Sequence, residues 1–125
     1  MRGTASDGTA YSRRILSIFA VRDAVVPEIW PFEIANVLFV SFTKRKRISE
    51  PQIKEYLELL TALPIRVEPG DLWVNVRLES RARRWNLSAY DAAYLHLALR
   101  RHVPLATRDD DFRKVAQVEG IELLL

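Results

Sequence analysis

Apolar residues recur along this chain at two periods, one helical and one extended. Ile15, Ile18, Phe19 and Arg22 fall at helical spacing, which predicts a short amphipathic helix over about Tyr11 to Arg22, behind a loose polar tail at residues 1–10. Ala24-Val25-Val26 then reads as a short strand stopped by Pro27. Pro31 suits the first turn of a helix, and Phe32 to Thr43 is apolar on nearly every face, so a helix buried between other elements is expected there. It ends in the basic run Lys44-Arg45-Lys46-Arg47. Ser49 with Gln52 forms a capping-box pair ahead of a helix carrying Ile53, Leu57 and Leu60 on one face, and Pro64 closes it. Ile65-Arg66-Val67 is a second short strand. Gly70-Asp71 opens a helix in which Val74, Leu78, Ala82 and Trp85 share a face, with arginines outward. Ser88 with Asp91 makes another capping box, followed by a helix lined by Ala92, Leu95 and Leu99. Val103 to Ala106 reads as a strand, Asp109 to Val118 as a helix ended by Gly120, and Ile121 to Leu125 as a last strand.

Short apolar strands alternating with helices predict an α/β fold, with a short parallel sheet flanked by helices in layers, because strands buried on both faces need no polar side. There are no internal repeats and no low-complexity linker, so residues 1–125 read as a single domain. The length and the 49% hydrophobic content suit one packed core, since a chain of this size buries roughly two thirds of its unfolded surface.

Composition narrows the chemistry. With no cysteine, disulfide scaffolds, thiol nucleophiles and thiolate zinc sites are excluded, and only two histidines, His96 and His102, remain for softer metals. Nineteen Lys and Arg against sixteen Asp and Glu give a net charge of +3, which tolerates a polyanionic partner without requiring one. No apolar run approaches the roughly 18 residues that span a bilayer. Ile15 to Val21 lacks a small-residue cleavage site and is followed by Arg22-Asp23, so it reads as a helix and the protein as cytoplasmic.

In open α/β sheets the functional crevice lies beyond the carboxyl ends of the strands, which directs attention to acidic residues placed just after them. Glu33 falls in the first turn after Val25-Val26, with Asn36 at i+3 on the same face. Asp91 falls in the first turn after Ser88. Asp109 follows Leu105-Ala106-Thr107, with Asp110 and Asp111 behind it. Each alone has a plain structural role, since a first-turn carboxylate caps free N–H groups and complements the helix dipole. Gathered together they would repel, and a cation would offset that repulsion. Oxygen ligands without His or Cys select Mg²⁺ or Mn²⁺. The run Lys44 to Arg47 could contact phosphates, or simply end a solvated helix. Trp30, Trp73, Trp85, Tyr90 and Tyr94 fit core or interface positions better than base-stacking ones.

The stretches VVPEIWPFEIANVL (Val25 to Leu38) and LSAYDAAYLHLALRRHVPLATRDDDF (Leu87 to Phe112) resemble the PIN-domain ribonucleases, specifically the VapC-type toxins of toxin–antitoxin pairs. The likeness runs from about Tyr11 to Leu125 and rests on E-x-x-N, S-x-Y-D-A-x-Y and L-x-T-x-D in that order. It implies a PIN-like fold and a Mg²⁺- or Mn²⁺-dependent endoribonuclease acting on RNA, with an antitoxin partner and a homodimer. By the same resemblance Glu33, Asp91 and Asp109 are the catalytic and metal-binding carboxylates, supported by Asn36 and Thr107, with Asp111 as the alternative to Asp109. Members of the family normally begin with a central apolar strand ending in a first catalytic Asp. Here Asp7 is preceded by MRGTAS, which is not strand-like, so the first strand is expected to be missing: either the true start lies upstream, or the chain is a shortened relative. The rival expectation is a truncated, non-catalytic PIN-like protein that binds an antitoxin or partner subunit. A receiver-like signalling domain shares the layout but needs an acidic pair after a first strand and a late lysine, which the chain lacks.

Overall fold

A computed structural model describes residues 23–124. The polar tail with Asp7, where the first strand is expected to be missing, the helix expected over Tyr11 to Arg22, and Leu125 of the last expected strand lie outside the described residues. The elements are β1 (Ala24–Pro27), α1 (Trp30–Phe39) with a π-helical turn (Val40–Lys44), α2 (Glu50–Thr61), β2 (Ile65–Glu68), α3 (Leu72–Trp85), α4 (Ala89–Arg101) and α5 (Asp110–Val118). β1 and β2 pair in parallel, from Ala24 opposite Ile65 to Pro27 opposite Glu68. The expected α/β arrangement is present: among the described residues, a short parallel two-stranded sheet is flanked by five helices. Pro27 is the last residue of β1 and not its stop, because a missing N–H costs least at a strand end.

Caps read from the sequence set most helix starts. Ser49 and Gln52 form the full capping box, with Gln52 N–H donating to Ser49 Oγ (3.3 Å) and Ser49 N–H to Gln52 Oε1 (2.8 Å). Asp71 accepts from the N–H groups of Trp73 and Val74, and Ser88 from that of Asp91. α3 ends at Asn86 and α4 at His102, both left-handed, a conformation that closes helices by turning the chain away.

The late strands are shorter than the sequence pattern predicts. Leu105 and Leu123 form a parallel bridge, with Leu105 N–H bonded to Glu122 O and Leu124 N–H to Leu105 O, each at 2.9 Å. Extension toward Val103 is blocked: its N–H is committed to Ala98 O at the end of α4, and Pro104 has none to offer.

The core is built around α4. Ala92, Tyr94 and Leu95 pack with Ala82 and Trp85 of α3, Leu105 of the bridge, and Phe112 and Ala116 of α5. Leu78, Ala82 and Trp85 are buried as their shared face requires, whereas Val74 is left exposed. The fully apolar stretch after Pro31 does not become the buried helix that its pattern predicts. No residue of α1 is buried, and Phe32 is 72% exposed. Length explains this: α1 with its π turn runs about 22 Å, while a four-residue strand spans about 13 Å. Only its start, at Ile29 and Trp30, reaches the core. Nor does α2 bury any side chain. Among the described residues no helix is long and apolar enough to cross a membrane.

Polar contacts on the other side of α4 join it to α3. The guanidinium of Arg81 lies 5.8 Å from the ring centroid of Trp85, and its Nη1 is 3.0 Å from Nδ1 of His96. Arginine only donates, so His96 Nδ1 accepts, which keeps the ring neutral with its proton on Nε2. Burial, then the charges of Arg81 and Arg100, holds the His96 pKa below its ordinary value.

Two outcomes follow from this packing. Phe112→Ala, which empties a site only 2% exposed, should cost about 3–5 kcal/mol in denaturant unfolding. For His96, the unfolded chain binds the proton more readily than the fold does, so its contribution is fully present above about pH 6.5 and is lost as pH falls toward the lower folded value. Thermal unfolding between pH 7.5 and 5.5 should therefore show a fall in Tm that His96→Gln makes shallower; parallel curves would remove His96 as a source.

Candidate acidic site

Glu33 sits in the first turn of α1, just past the carboxyl end of β1, where its N–H donates to Ile29 O at 3.0 Å. The side chain is half-buried, and its Oε1 accepts a hydrogen bond from the Tyr94 hydroxyl, 61 positions away. Tyr94 is itself 7% exposed. It lies three residues after Asp91, so the two share one side of α4. Asp91 is half-buried in the first turn of that helix, held by the 3.1 Å bond from its N–H to Ser88 Oγ. The Tyr94 bond thus ties Glu33 to α4 within one turn of Asp91.

Asp109 is the N-cap of α5. Its Oδ1 accepts from Phe112 N–H at 2.9 Å, while its own N–H donates to Thr107 Oγ1 at 3.2 Å. Thr107 is 1% exposed, and its carbonyl accepts from Arg113 Nη1 at 2.8 Å. This closed set of bonds fixes the junction and engages one of the two Asp109 oxygens in the cap. Asp111 is exposed in the first turn of α5, and Asn36 is exposed on α1. The structure brings Glu33 to the Asp91 turn and builds Asp109 and Thr107 into a separate knot of bonds.

Among the described residues no three His, Asp or Glu side chains are grouped closely enough to hold a metal ion. The donors are nonetheless all oxygen, which suits hard cations, and Mg²⁺ is commonly held by one or two carboxylates with water and substrate phosphate completing its shell. The chemistry of the donor set fits such a site; a cage of three carboxylates is not formed by the described residues alone.

A cleft of about 440 Å³ opens at the carboxyl ends of β1 and β2, and none of the three candidate carboxylates lines it. Its polar lining includes Glu28, Glu68, Asp71, His96 and Arg100. Glu28 accepts from the N–H of Gly70, joining the segments after the two strands. A β-carbon on Gly70 would come within 2.4 Å of Asn75 Nδ2, so a larger residue there would require the Asn75 side chain to move. The hydrogen bond from Arg101, with the charges of Arg101 and Arg100, holds the Glu68 carboxyl below its ordinary pKa despite its side chain being only 12% exposed. These acids already have partners in the fold.

Sequence reasoning placed Tyr94 in the core and missed its bond to Glu33, as it missed the Glu68 pairing. The available signal was a tyrosine on the buried face of α4, where phenylalanine would pack equally well. The exposed arginines at 81 and 83 also differ from solvated charges: Arg81 engages Trp85 and His96, and Arg83 pairs with Glu79. Lys44 to Arg47, at the end of the π turn, are exposed, with Lys46 left-handed at φ 52°.

Among known protein families, the PIN domain matches residues 4–118, beginning ahead of Tyr11, where the sequence likeness begins. No curated protein and no solved structure gives a significant match. PIN domains are typically nucleases, generally use divalent metals, and commonly bind RNA and protein partners. A match over nearly the whole length, on a short parallel sheet flanked by helices, carries the conclusion that this chain belongs to the PIN domain family.

Proposed function

We propose that this protein is a divalent-metal-dependent endoribonuclease of the VapC type, the cytoplasmic toxin of a toxin–antitoxin pair, hydrolysing RNA phosphodiester bonds. The observation that carries the reading is the Tyr94–Glu33 hydrogen bond, which draws the E-x-x-N glutamate to α4 within a turn of Asp91. Glu33 and Asp91 would hold Mg²⁺ or Mn²⁺, with Asp109 approaching from the start of α5 and Asn36 and Thr107 in support. A cation bound there would lower the pKa of a bound water and offset charge on the phosphorus oxygens. The chain's own residues do the placing: Ser88 fixes the first turn of α4, Thr107 the backbone of Asp109, and Tyr94 the carboxylate of Glu33. The exposed run Lys44 to Arg47 offers charge for RNA phosphates.

A second reading, that the protein is a non-catalytic PIN-like subunit binding an antitoxin or a second copy, draws on a different observation. Phe32, Leu72, Trp73 and Val76 are 72%, 66%, 61% and 56% exposed on α1 and α3, and exposed apolar clusters of this kind mark partner surfaces.

The two readings part on Mn²⁺-dependent cleavage of single-stranded RNA. The nuclease reading expects cleavage that chelation abolishes and that Asp91→Asn reduces at least 100-fold, with a stability change of only about 1 kcal/mol, because the backbone N–H at 91 keeps its bond to Ser88 Oγ and only a first-turn charge is lost. Full activity in Asp91→Asn would make that residue structural, and an intact, folded chain without cleavage would favour the binding subunit.

A further inference from the structure

We propose that Tyr94 is a positioning residue for the acidic site: its hydroxyl holds the Glu33 carboxylate in the orientation in which it works beside Asp91. The proposal deepens the nuclease reading and rests on it. Packing alone does not call for a tyrosine here. The ring lies in the core with Ala82, Trp85, Leu95, Leu105, Phe112 and Ala116, and phenylalanine would fill the same volume. What tyrosine adds is one donor at the end of a stiff, two-torsion side chain, and a buried phenol needs a partner for it. That donor reaches a half-buried carboxylate on a different helix, 61 positions away.

The chemistry of the donor matters as much as its reach. Lysine or arginine at this point would neutralise Glu33 and compete with any cation for it. A phenol is a neutral donor: it takes one lone pair of Oε1 without bringing a positive charge to the carboxylate. Holding Oε1 also restricts the direction of Oε2 on the half-buried Glu33 side chain. The anchor is rigid, because Ala92 and Leu95 on the same helix are fully enclosed. Partners of this kind, bonded to a ligating carboxylate and not to the ion, typically change metal affinity or activity by roughly 10–100-fold when removed.

The test is Tyr94→Phe in the full chain, read by calorimetric Mn²⁺ binding without RNA, by kcat and KM for RNA, and by thermal unfolding, with Leu95→Val as a core variant that keeps the hydroxyl. The expected result is a loss of Mn²⁺ affinity or of kcat of about 10-fold or more, with KM for RNA little changed. In a Glu33→Gln background the same change should cost less than about 2-fold, since the group it positions is gone. Wild-type Mn²⁺ binding and cleavage retained in Tyr94→Phe would overturn the proposal and leave the nuclease reading standing. Equal losses in Leu95→Val and Tyr94→Phe, or an unfolded Tyr94→Phe chain, would assign the hydroxyl to the fold and overturn it too. A folded wild-type chain that neither binds Mn²⁺ nor cleaves would overturn the nuclease reading and this inference together.

Discussion

Ala92 and Leu95 have no solvent exposure, and that enclosure fixes α4 as the reference to which the rest of the described fold is registered. α3 joins it in the core through Ala82 and Trp85, α5 through Phe112 and Ala116, and Leu105 of the Leu105–Leu123 bridge belongs to the same cluster. Enclosed aliphatic contacts are close-packed and do not slide without opening voids. Side chains anchored on α4 therefore inherit its rigidity, and Asp91 and Tyr94 are two of them. Glu33, on a helix with no buried residue, is tied to that frame by the Tyr94 hydroxyl.

The molecule is uneven in the same terms. Along α4, Ala92, Tyr94, Leu95, Leu97 and Ala98 are buried, whereas α1, α2 and the first turns of α3 leave Phe32, Leu59, Leu72, Trp73 and Val76 more than half exposed. Among the described residues, a two-stranded sheet of four-residue strands cannot cover helices of ten to fourteen residues. The chemistry proposed here sits at the boundary, where an exposed helix meets the packed one.

Much of this was legible in the sequence because it is local. The Ser49–Gln52 box, the Asp71 and Ser88 caps, and the buried triplet Leu78, Ala82 and Trp85 are read from spacings of three and four, and the structure has them. The two short strands and their parallel pairing followed from apolar runs alternating with helices. Burial of the apolar stretch from Phe32 to Thr43 was not legible, since periodicity reports which faces are apolar and not whether anything lies against them. The strand at Val103 to Ala106 was overread because the competing bond from Val103 N–H to Ala98 O belongs to the end of the preceding helix. The site divides the same way. Glu33, Asp91 and Asp109 are visible as first-turn or capping acids after strands, but the bond from Tyr94 to Glu33 spans 61 positions and has no local signature.

The proposal that Glu33 and Asp91, joined through Tyr94, bind a cation that Asp109 approaches from the start of α5 is tested most directly by paramagnetic broadening in the ¹H–¹⁵N spectrum of the protein at substoichiometric Mn²⁺. The account predicts that the amides of Glu33, Asp91, Asp109 and Phe112 broaden first and together, while those lining the cleft beyond β1 and β2, such as Gly70 and Asn75, persist. Broadening centred on that cleft, or scattered over surface carboxylates with Glu33 and Asp91 untouched, would contradict it.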